Sequence, residues 1–443
     1  MPDHATSAHP AVQAQLDRLA GLSPGADVLG LERITALLAR LGDPQLALPP
    51  VLHVAGTNGK GSTCAFLRAA LEAAGYDVHV YSSPHLVRFN ERIRVAGKLI
   101  GDDALAALLA EVLDKADGIG PSFFEVTTAA AFLAFARTPA AACIVEVGLG
   151  GRLDATNVIP DPLVTGVAAL GIDHQAFLGD TILQIAAEKA GIAKPGVPLV
   201  TMAYPARVRA RVAEVAAAAG ATVYAAPEAW SLTAARRTVE YRDPGFALVA
   251  DRPTLPGAHQ AHNWGLAVAM LRRQGRLSVP EAALRAAADW ARWPARMQRL
   301  GPGPLTALLP AGSDAWLDGC HNPGAAAPVA RTLAALTRGR PVHLVMGMLA
   351  NKDAAGTLAP LARVARDLTA APVPGHACHA PAELARIAQA AGFTGVGTAP
   401  DLTGALAQIA ARANPRAAPP AVAILGSLYL AGEVLRLNED APD

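Results

Sequence analysis

VLHVAGTNGKGSTCAFLRAALEAAG, residues 51–75, sets a short apolar strand, a glycine-rich turn and an alanine-rich run of helix formers in immediate succession. Gly56, Gly59 and Gly61 lack Cβ atoms, so the backbone can turn tightly and aim its N–H groups at one point. Lys60 adds a positive charge at the start of the helix. That is the form of a phosphate-cradling loop, and the flanking strand and helix argue against a plain glycine turn. The spacing departs from GxxxxGK[ST]: Val54 stands where the first glycine would be, and Gly61 separates Lys60 from Ser62. The usual magnesium hydroxyl has therefore moved, and another residue has to help hold the metal.

Outward from this loop, β-type apolar runs alternate with helical ones. Strands are expected at 51–55, 77–82, 143–148, 163–170 and 197–202, with helices near 62–74, 103–116, 123–137, 181–190 and 205–219. Such alternation predicts an α/β fold whose doubly wound, mainly parallel sheet binds ligands at the carboxyl ends of its strands. After about residue 225 the pattern weakens, two helices follow near 259–274 and 279–291, and RWPARMQRLGPGP suggests a boundary. Beyond it AWLDG, VHLVMGM and AVAILG read as strands, with helices near 325–337, 354–366, 381–391 and 402–413. The expectation is a P-loop ATPase domain over 1–295 and a smaller Rossmann-like α/β domain over 296–443.

Composition narrows the function classes. The 443 residues are 52% hydrophobic and 17% charged with a net charge of +1, which argues against a nucleic-acid surface. Cys64, Cys143, Cys320 and Cys378 are too few and too scattered for a disulfide framework, so a reducing cytoplasm is expected. The N-terminus lacks an apolar signal core, and AVAILGSLYLAG at 421–432 falls short of the roughly 18 residues of a membrane span. Small-molecule chemistry fits this chain best.

Polar residues gather where the strands end: Ser82-Ser83-Pro84-His85, then GLGGRLDATN at 148–157, with Glu146 inside the strand CIVEVG. A carboxylate in such a strand is costly to bury unpaired, so it is expected to face a metal or a cation. Magnesium is the economical choice, because it takes oxygen ligands and keeps several waters. Asp173-His174 ends another strand, and Lys189 lies near the end of a helix closing at Gly191. Taken alone, Lys189 would be a solvated cation at a helix C-terminus and His174 a satisfied polar residue.

GTNGKGS, SSPHL followed by ERI, FFEVTTAAAF, EVGLGGRLDATN, DHxxxLGxTxxxIAxEKAGI, WPAR, DGCHNP and GSLYL occur in order between about residues 50 and 435. In this the chain resembles the folylpolyglutamate synthases and dihydrofolate synthases, relatives of the Mur ligases. The resemblance implies an ATP-dependent ligase that joins L-glutamate to dihydropteroate and to tetrahydrofolate or its polyglutamates through an acyl phosphate. It makes Ser83, Glu146, His174 and a CO₂-carbamylated Lys189 the ligands of two magnesium ions, with Lys60, Lys189 and His174 catalytic. Carbamylation needs a neutral amine, so Lys189 should be partly desolvated.

The same resemblance gives Gly56, Thr57, Asn58, Gly59, Lys60, Gly61 and Ser62, with Asn263, Arg296 and Asp318, to ATP. It gives Phe124, Asp154 and Ala155 to the pterin, and His321 and Ser427 to the incoming glutamate. The LDATN version of the loop goes with enzymes that also accept dihydropteroate, hence a bifunctional enzyme. Domain closure about WPAR is expected to exclude water, and the protein is expected to act as a monomer without nucleic-acid or membrane partners. The alternatives are a monofunctional folylpolyglutamate synthase, a Mur-type peptide ligase and a noncatalytic ATP-binding module. Only about 50 residues precede the phosphate loop, which disfavours the Mur type. Asn351-Lys352-Asp353 and His376-Ala-Cys378-His379 resemble guanine-reading and zinc motifs but read better as a turn and a loop.

Overall fold

A strand with parallel neighbours on both sides and helices over both faces has no solvated side, so its residues are apolar or find a buried partner. That is the character of the strand Val51–Ala55, buried at every position, and it explains why the sequence there shows a run rather than an alternation. The computed structural model describes residues 5–22, 29–414 and 416–442, so the first four residues of the N-terminal stretch lie outside it. The chain divides into two compact units, one reaching to Thr254 and resuming over Gln260–Arg292, the other made of Leu255–His259 and the chain from Trp293.

Among the described residues the first unit carries an eight-stranded sheet. Its strands are β1 (Val51–Ala55), β2 (Val78–Tyr81), β3 (Ile93–Val95), β4 (Lys98–Leu99), β5 (Ala142–Glu146), β6 (Val164–Val167), β7 (Pro198–Thr201) and β8 (Thr222–Ala225). They lie in the order β4-β3-β2-β5-β1-β6-β7-β8, with β3 antiparallel to β2 and to β4 and all other pairs parallel. This is the doubly wound, mainly parallel sheet expected. β1 lies between β5 and β6, with Val54 level with Glu146 on one side and with Gly166 on the other. The phosphate loop therefore leaves the sheet beside the ends of β5 and β6.

Where the alternation weakens, the chain builds a three-stranded antiparallel sheet instead, from β9 (Ser231–Ala234), β10 (Thr238–Asp243) and β11 (Phe246–Asp251). Val239 and Tyr241 of β10 are buried on one face while their neighbours are more exposed, a period of two that is short and easily missed.

The second unit has β12 (Gln298–Arg299), β13 (Asp314–Leu317), β14 (Val342–Met346), β15 (Asp367–Ala370), β16 (Gly395–Thr398) and β17 (Ala421–Leu425). The order is β12-β13-β17-β14-β15-β16, parallel except for β12. β15 and β16 escaped the sequence reading because DLTA and GVGT are short and not apolar enough to stand out. No described helix is long and apolar enough to cross a membrane.

Candidate active site

The phosphate loop begins where β1 ends. Gly56 has φ 147° and passes so close to the chain after β6 that a Cβ there would lie 2.9 Å from Cβ of Ala168. The amides of Thr57 and Asn58 donate to the Ala169 carbonyl at 2.8 and 3.1 Å, and the Thr57 hydroxyl donates to the Gly171 carbonyl at 3.0 Å. Gly59, with φ 88°, lies against Asn263, whose Oδ1 would be 2.4 Å from a Cβ. Asn263, distant in sequence, is thus brought onto the loop. The helix Lys60–Ala73 starts here, with Ser62 buried in its first turn.

Lys60 curls back over its own loop. Its Nζ donates to the Gly56 carbonyl at 3.2 Å and lies 4.0 Å from Oε1 of Glu146, the last residue of β5, which is 4% exposed. Ser83 follows the neighbouring strand β2 at the same end of the sheet, half-buried. The loop after it is held by Glu91, whose carboxylate accepts the amides of Leu86, Val87 and Arg88 at 2.8, 2.9 and 2.6 Å. Behind it His85 accepts from the buried Arg92 at 2.9 Å, and burial lowers its pKa to about 4.

Lys189, in the last turn of the helix Ile182–Ala190, is 5% exposed. Burial, reinforced by the positive charge of Lys60, lowers its pKa to about 7, while Asp173, Asp154 and Glu188 oppose the shift. A large share of its amine is therefore neutral near pH 7. His174 differs: it adopts φ 53°, its side chain is 38% exposed, and its Nε2 lies 4.0 Å from Asp173. Among the described residues no three His, Cys, Asp or Glu side chains cluster tightly enough to hold a metal by themselves. A donor set of one carboxylate, one hydroxyl and waters would suit magnesium rather than zinc, and Ser83 and Glu146 at adjacent strand ends are the residues that could supply it.

Glycines let the loop 148–157 dock on the helix of Lys189. A Cβ on Gly151 would lie 2.7 Å from the Glu188 carbonyl and 3.0 Å from that of Lys189, and one on Gly191 would lie 2.4 Å from Cβ of Arg152. The Arg152 amide donates to the Glu188 carbonyl at 2.8 Å, and Asn157 Nδ2 donates to the carbonyls of Arg152 and Gly191. Gly148 lies under the Phe124 ring, where a Cβ would meet Cζ at 2.3 Å. Phe124 itself is half-buried in the first turn of the helix Phe123–Arg137, whose start is fixed by a Ser122–Glu125 capping box.

Asp154 and Ala155, expected at the pterin, are both buried in this loop. Asp154 is 2% exposed and its carboxylate serves its own loop, accepting the amides of Leu149 at 2.8 Å and Thr156 at 3.0 Å and the Thr156 hydroxyl. Ala155 is 4% exposed and packs into the core. Both shape the loop surface from beneath.

In the second unit Ala295 and Met297 both have positive φ, 54° and 46°, and between them Arg296 turns its Nη1 to the Ala295 carbonyl at 2.9 Å. A Cβ on Gly319 would lie 2.3 Å from Cδ2 of Leu428 and 2.9 Å from that Nη1. Asp318, expected at a ribose, accepts the amides of Met297 and Cys320, each at 2.8 Å, and ties the WPAR turn to the end of β13. Burial raises its pKa, and Arg296 opposes this. His321 Nδ1 donates to the Gly319 carbonyl at 2.8 Å, and Ser427 is buried and caps the helix Leu428–Leu437 through the Tyr429 amide. These two residues follow the paired strands β13 and β17. Asp353 caps the helix Ala354–Leu361, and Cys378 and His379 bond to the Val373 amide and the Lys352 carbonyl, so both look-alike motifs serve loop structure.

A family model described as the C-terminal domain of dihydrofolate synthetase matches residues 307–437. The dihydrofolate synthase/folylpolyglutamate synthase of Escherichia coli is 39% identical over 347 residues, covering 78% of each chain. The chain belongs to the dihydrofolate synthase/folylpolyglutamate synthase family. Two structures of family members match almost end to end. E. coli FolC in complex with DHPP and ADP has a TM-score of 0.87 at 33% identity, covering 98% of this chain and 99% of that one. A bifunctional folylpolyglutamate synthase/dihydrofolate synthase with Mn, AMPPNP and L-glutamate bound has a TM-score of 0.84 at 32% identity, covering 97% and 98%. The chain spans about half the length of two curated archaeal relatives, named as probable fusions with dihydropteroate synthase.

Within this folate-ligase framework the sequence reading overlooked the supporting residues. Ala168, Ala169 and Gly171 brace the phosphate loop, and their only sequence signal is a run of small residues after β6. Glu91 and Asn157 brace the other two loops through backbone groups, which leave no side-chain pattern to read.

Proposed function

We propose that this chain uses ATP to join L-glutamate to dihydropteroate, giving dihydrofolate, and to tetrahydrofolate or its polyglutamates. The observation that supports this reading is Lys60 4.0 Å from Glu146 at the end of β5, with its charge acting on the desolvated Lys189, in a chain of this family. A carboxylate is a poor electrophile, so the γ-phosphoryl group of ATP is transferred to it first. The glutamate amine then attacks the acyl carbon, the C–O bond to phosphate breaks, and the amine loses a proton. Lys60 and the loop amides neutralise the charge that develops during transfer.

Ser83 and Glu146 would hold one magnesium ion, and His174 with a carbamylated Lys189 a second; bound magnesium supplies further neutralisation of the phosphate oxygens. Neutral Lys189 can attack CO₂ and release a proton, turning a cation into an anionic oxygen donor. Phe124 over Gly148 offers the pterin a ring face, on a surface that Asp154 and Ala155 hold in shape. Asn263 and Arg296 are assigned to the nucleotide, with Asp318 fixing the turn that presents Arg296. His321 and Ser427 are assigned to glutamate. We also infer a cytoplasmic monomer; the free cysteines, three of them buried, suit a reducing compartment.

Glutamate-dependent phosphate release tests the reading, with dihydropteroate, tetrahydrofolate and a UDP-muramoyl acid offered in parallel. Turnover of both pterins is expected, and turnover of neither overturns it.

A further inference from the structure

His53 sits wholly buried in the middle of β1, and the chemistry assigned so far gives it no task. Its Nε2 lies 2.8 Å from the hydroxyl oxygen of Thr156, also wholly buried. That hydroxyl lies 2.5 Å from Oδ1 of Asp154. Burial raises the Asp154 pKa, but the amides of Leu149 and Thr156 donate to its two oxygens, oppose that shift and hold the carboxylate as an acceptor. Thr156 therefore gives its hydroxyl proton to Asp154, and its oxygen accepts from His53. This fixes His53 as the Nε2–H tautomer, with Nδ1 buried and lacking a hydrogen-bond partner among the described residues. A buried nitrogen left bare is destabilising, so an apolar side chain would serve the sheet better. What the histidine adds is its bond to Thr156.

The chain His53–Thr156–Asp154–Leu149 links the strand that leads into the phosphate loop with the loop that carries the acceptor face. Lys194, ahead of β7, holds the same loop from another side, donating from Nζ to the Asn157 carbonyl at 2.9 Å. Burial, with the Lys194 charge, lowers the His53 pKa to about 3, so the donor keeps one protonation state at neutral pH.

We propose that His53 is a positioning residue for the carboxylic-acid substrate: by donating to Thr156 it sets the 148–158 loop relative to the phosphate loop, and so sets where the acceptor carboxylate meets the γ-phosphate. This rests on the reading of that loop as the pterin side of the site. Neither His53 nor Thr156 touches substrate in this account, and the effect passes through Asp154.

Steady-state kinetics of the full chain with dihydropteroate, ATP and L-glutamate test it. Thr156→Val removes the hydroxyl and keeps the shape, His53→Leu removes the donor, and His53→Gln restores an N–H of similar reach. Thr156→Val and His53→Leu should raise KM for dihydropteroate about tenfold and leave KM for ATP within about twofold, with His53→Gln recovering most of the difference. KM does not depend on the fraction of chain that is folded, so lost stability alone cannot produce this split. An equal rise in both KM values, no rise in either, or no recovery with glutamine overturns the proposal. A wild-type enzyme that turns over neither pterin overturns the functional reading itself, and the proposal with it.

Discussion

Replacing Lys189 by methionine should make the protein more stable and inactive at once. The amine is 5% exposed and titrates near pH 7 in the folded chain, against an ordinary value of 10.5. Below about pH 7 it is charged in both states, and folding carries the whole desolvation penalty. Between about pH 7 and 10.5 the unfolded chain holds one more proton than the folded one, so stability rises with pH until the penalty has vanished. At pH 7.5 the separation of roughly three pH units between the two titrations, at about 1.36 kcal/mol each, makes the lysine cost about 4 kcal/mol. Methionine has a stem of similar length and a similar helix propensity but no proton to lose. In urea unfolding in bicarbonate-free buffer, Lys189→Met should exceed wild type by about 4 kcal/mol at pH 7.5 and by less than about 0.5 kcal/mol at pH 10.5. Glutamate-dependent phosphate release should fall about a thousandfold or more. Equal stabilities at pH 7.5, a gap that persists at pH 10.5, or wild-type turnover would each refute the reasoning.

Gly151→Ala places a methyl 2.7 Å from the Glu188 carbonyl, so the loop must lift off the helix of Lys189; kcat should drop about a hundredfold, with wild-type kcat as the contrary result. Glu146→Gln keeps the shape of the residue beside Lys60 but removes its charge, so the magnesium concentration for half-maximal activity should rise at least tenfold or so; an unchanged titration would show that Glu146 holds no metal. Chelation by EDTA should abolish turnover by wild type, and added magnesium should restore it. His53 and His85 are buried neutral with pKa values lowered from 6.5 to about 3 and about 4, so below about pH 6.5 the unfolded chain gains protons that the folded chain does not. The urea midpoint should therefore fall from pH 7 to pH 5, the slope approaching about 2.7 kcal/mol per pH unit for the pair; a flat profile would contradict their neutral burial.

Much of the architecture was legible because parallel strands covered on both faces leave long apolar signatures. VLHVA, CIVEV and AVAIL could be read directly, and the lengths of the intervening runs gave the helices. The antiparallel β9–β11 and the short β15 and β16 were not legible: β9–β11 are hairpin strands of four to six residues whose one buried face leaves only a brief alternation, and DLTA and GVGT are too short and too weakly apolar to stand out. The same division holds at the site. Gly56, Lys60 and Glu146 announced themselves by residue type. The second task of Asp154 and Asp318 did not: a carboxylate in a loop reads as a ligand for substrate, and only the fold shows that each also holds backbone amides of its own surroundings.

The sequence alone determined the glycine-rich loop and lysine at a strand end, the absence of a hydroxyl directly after Lys60, and which motifs belong to one family. Those properties follow from local rules, since a turn needs its glycines and a strand needs its apolar faces wherever the rest of the chain goes. Only the tertiary structure decided that Asn263 lies on Gly59, that Lys189 loses its solvent, and that His53 meets the Thr156 hydroxyl. Desolvation and hydrogen-bond partnership depend on what the fold stacks around a group, and residues separated by tens or hundreds of positions supply that surrounding.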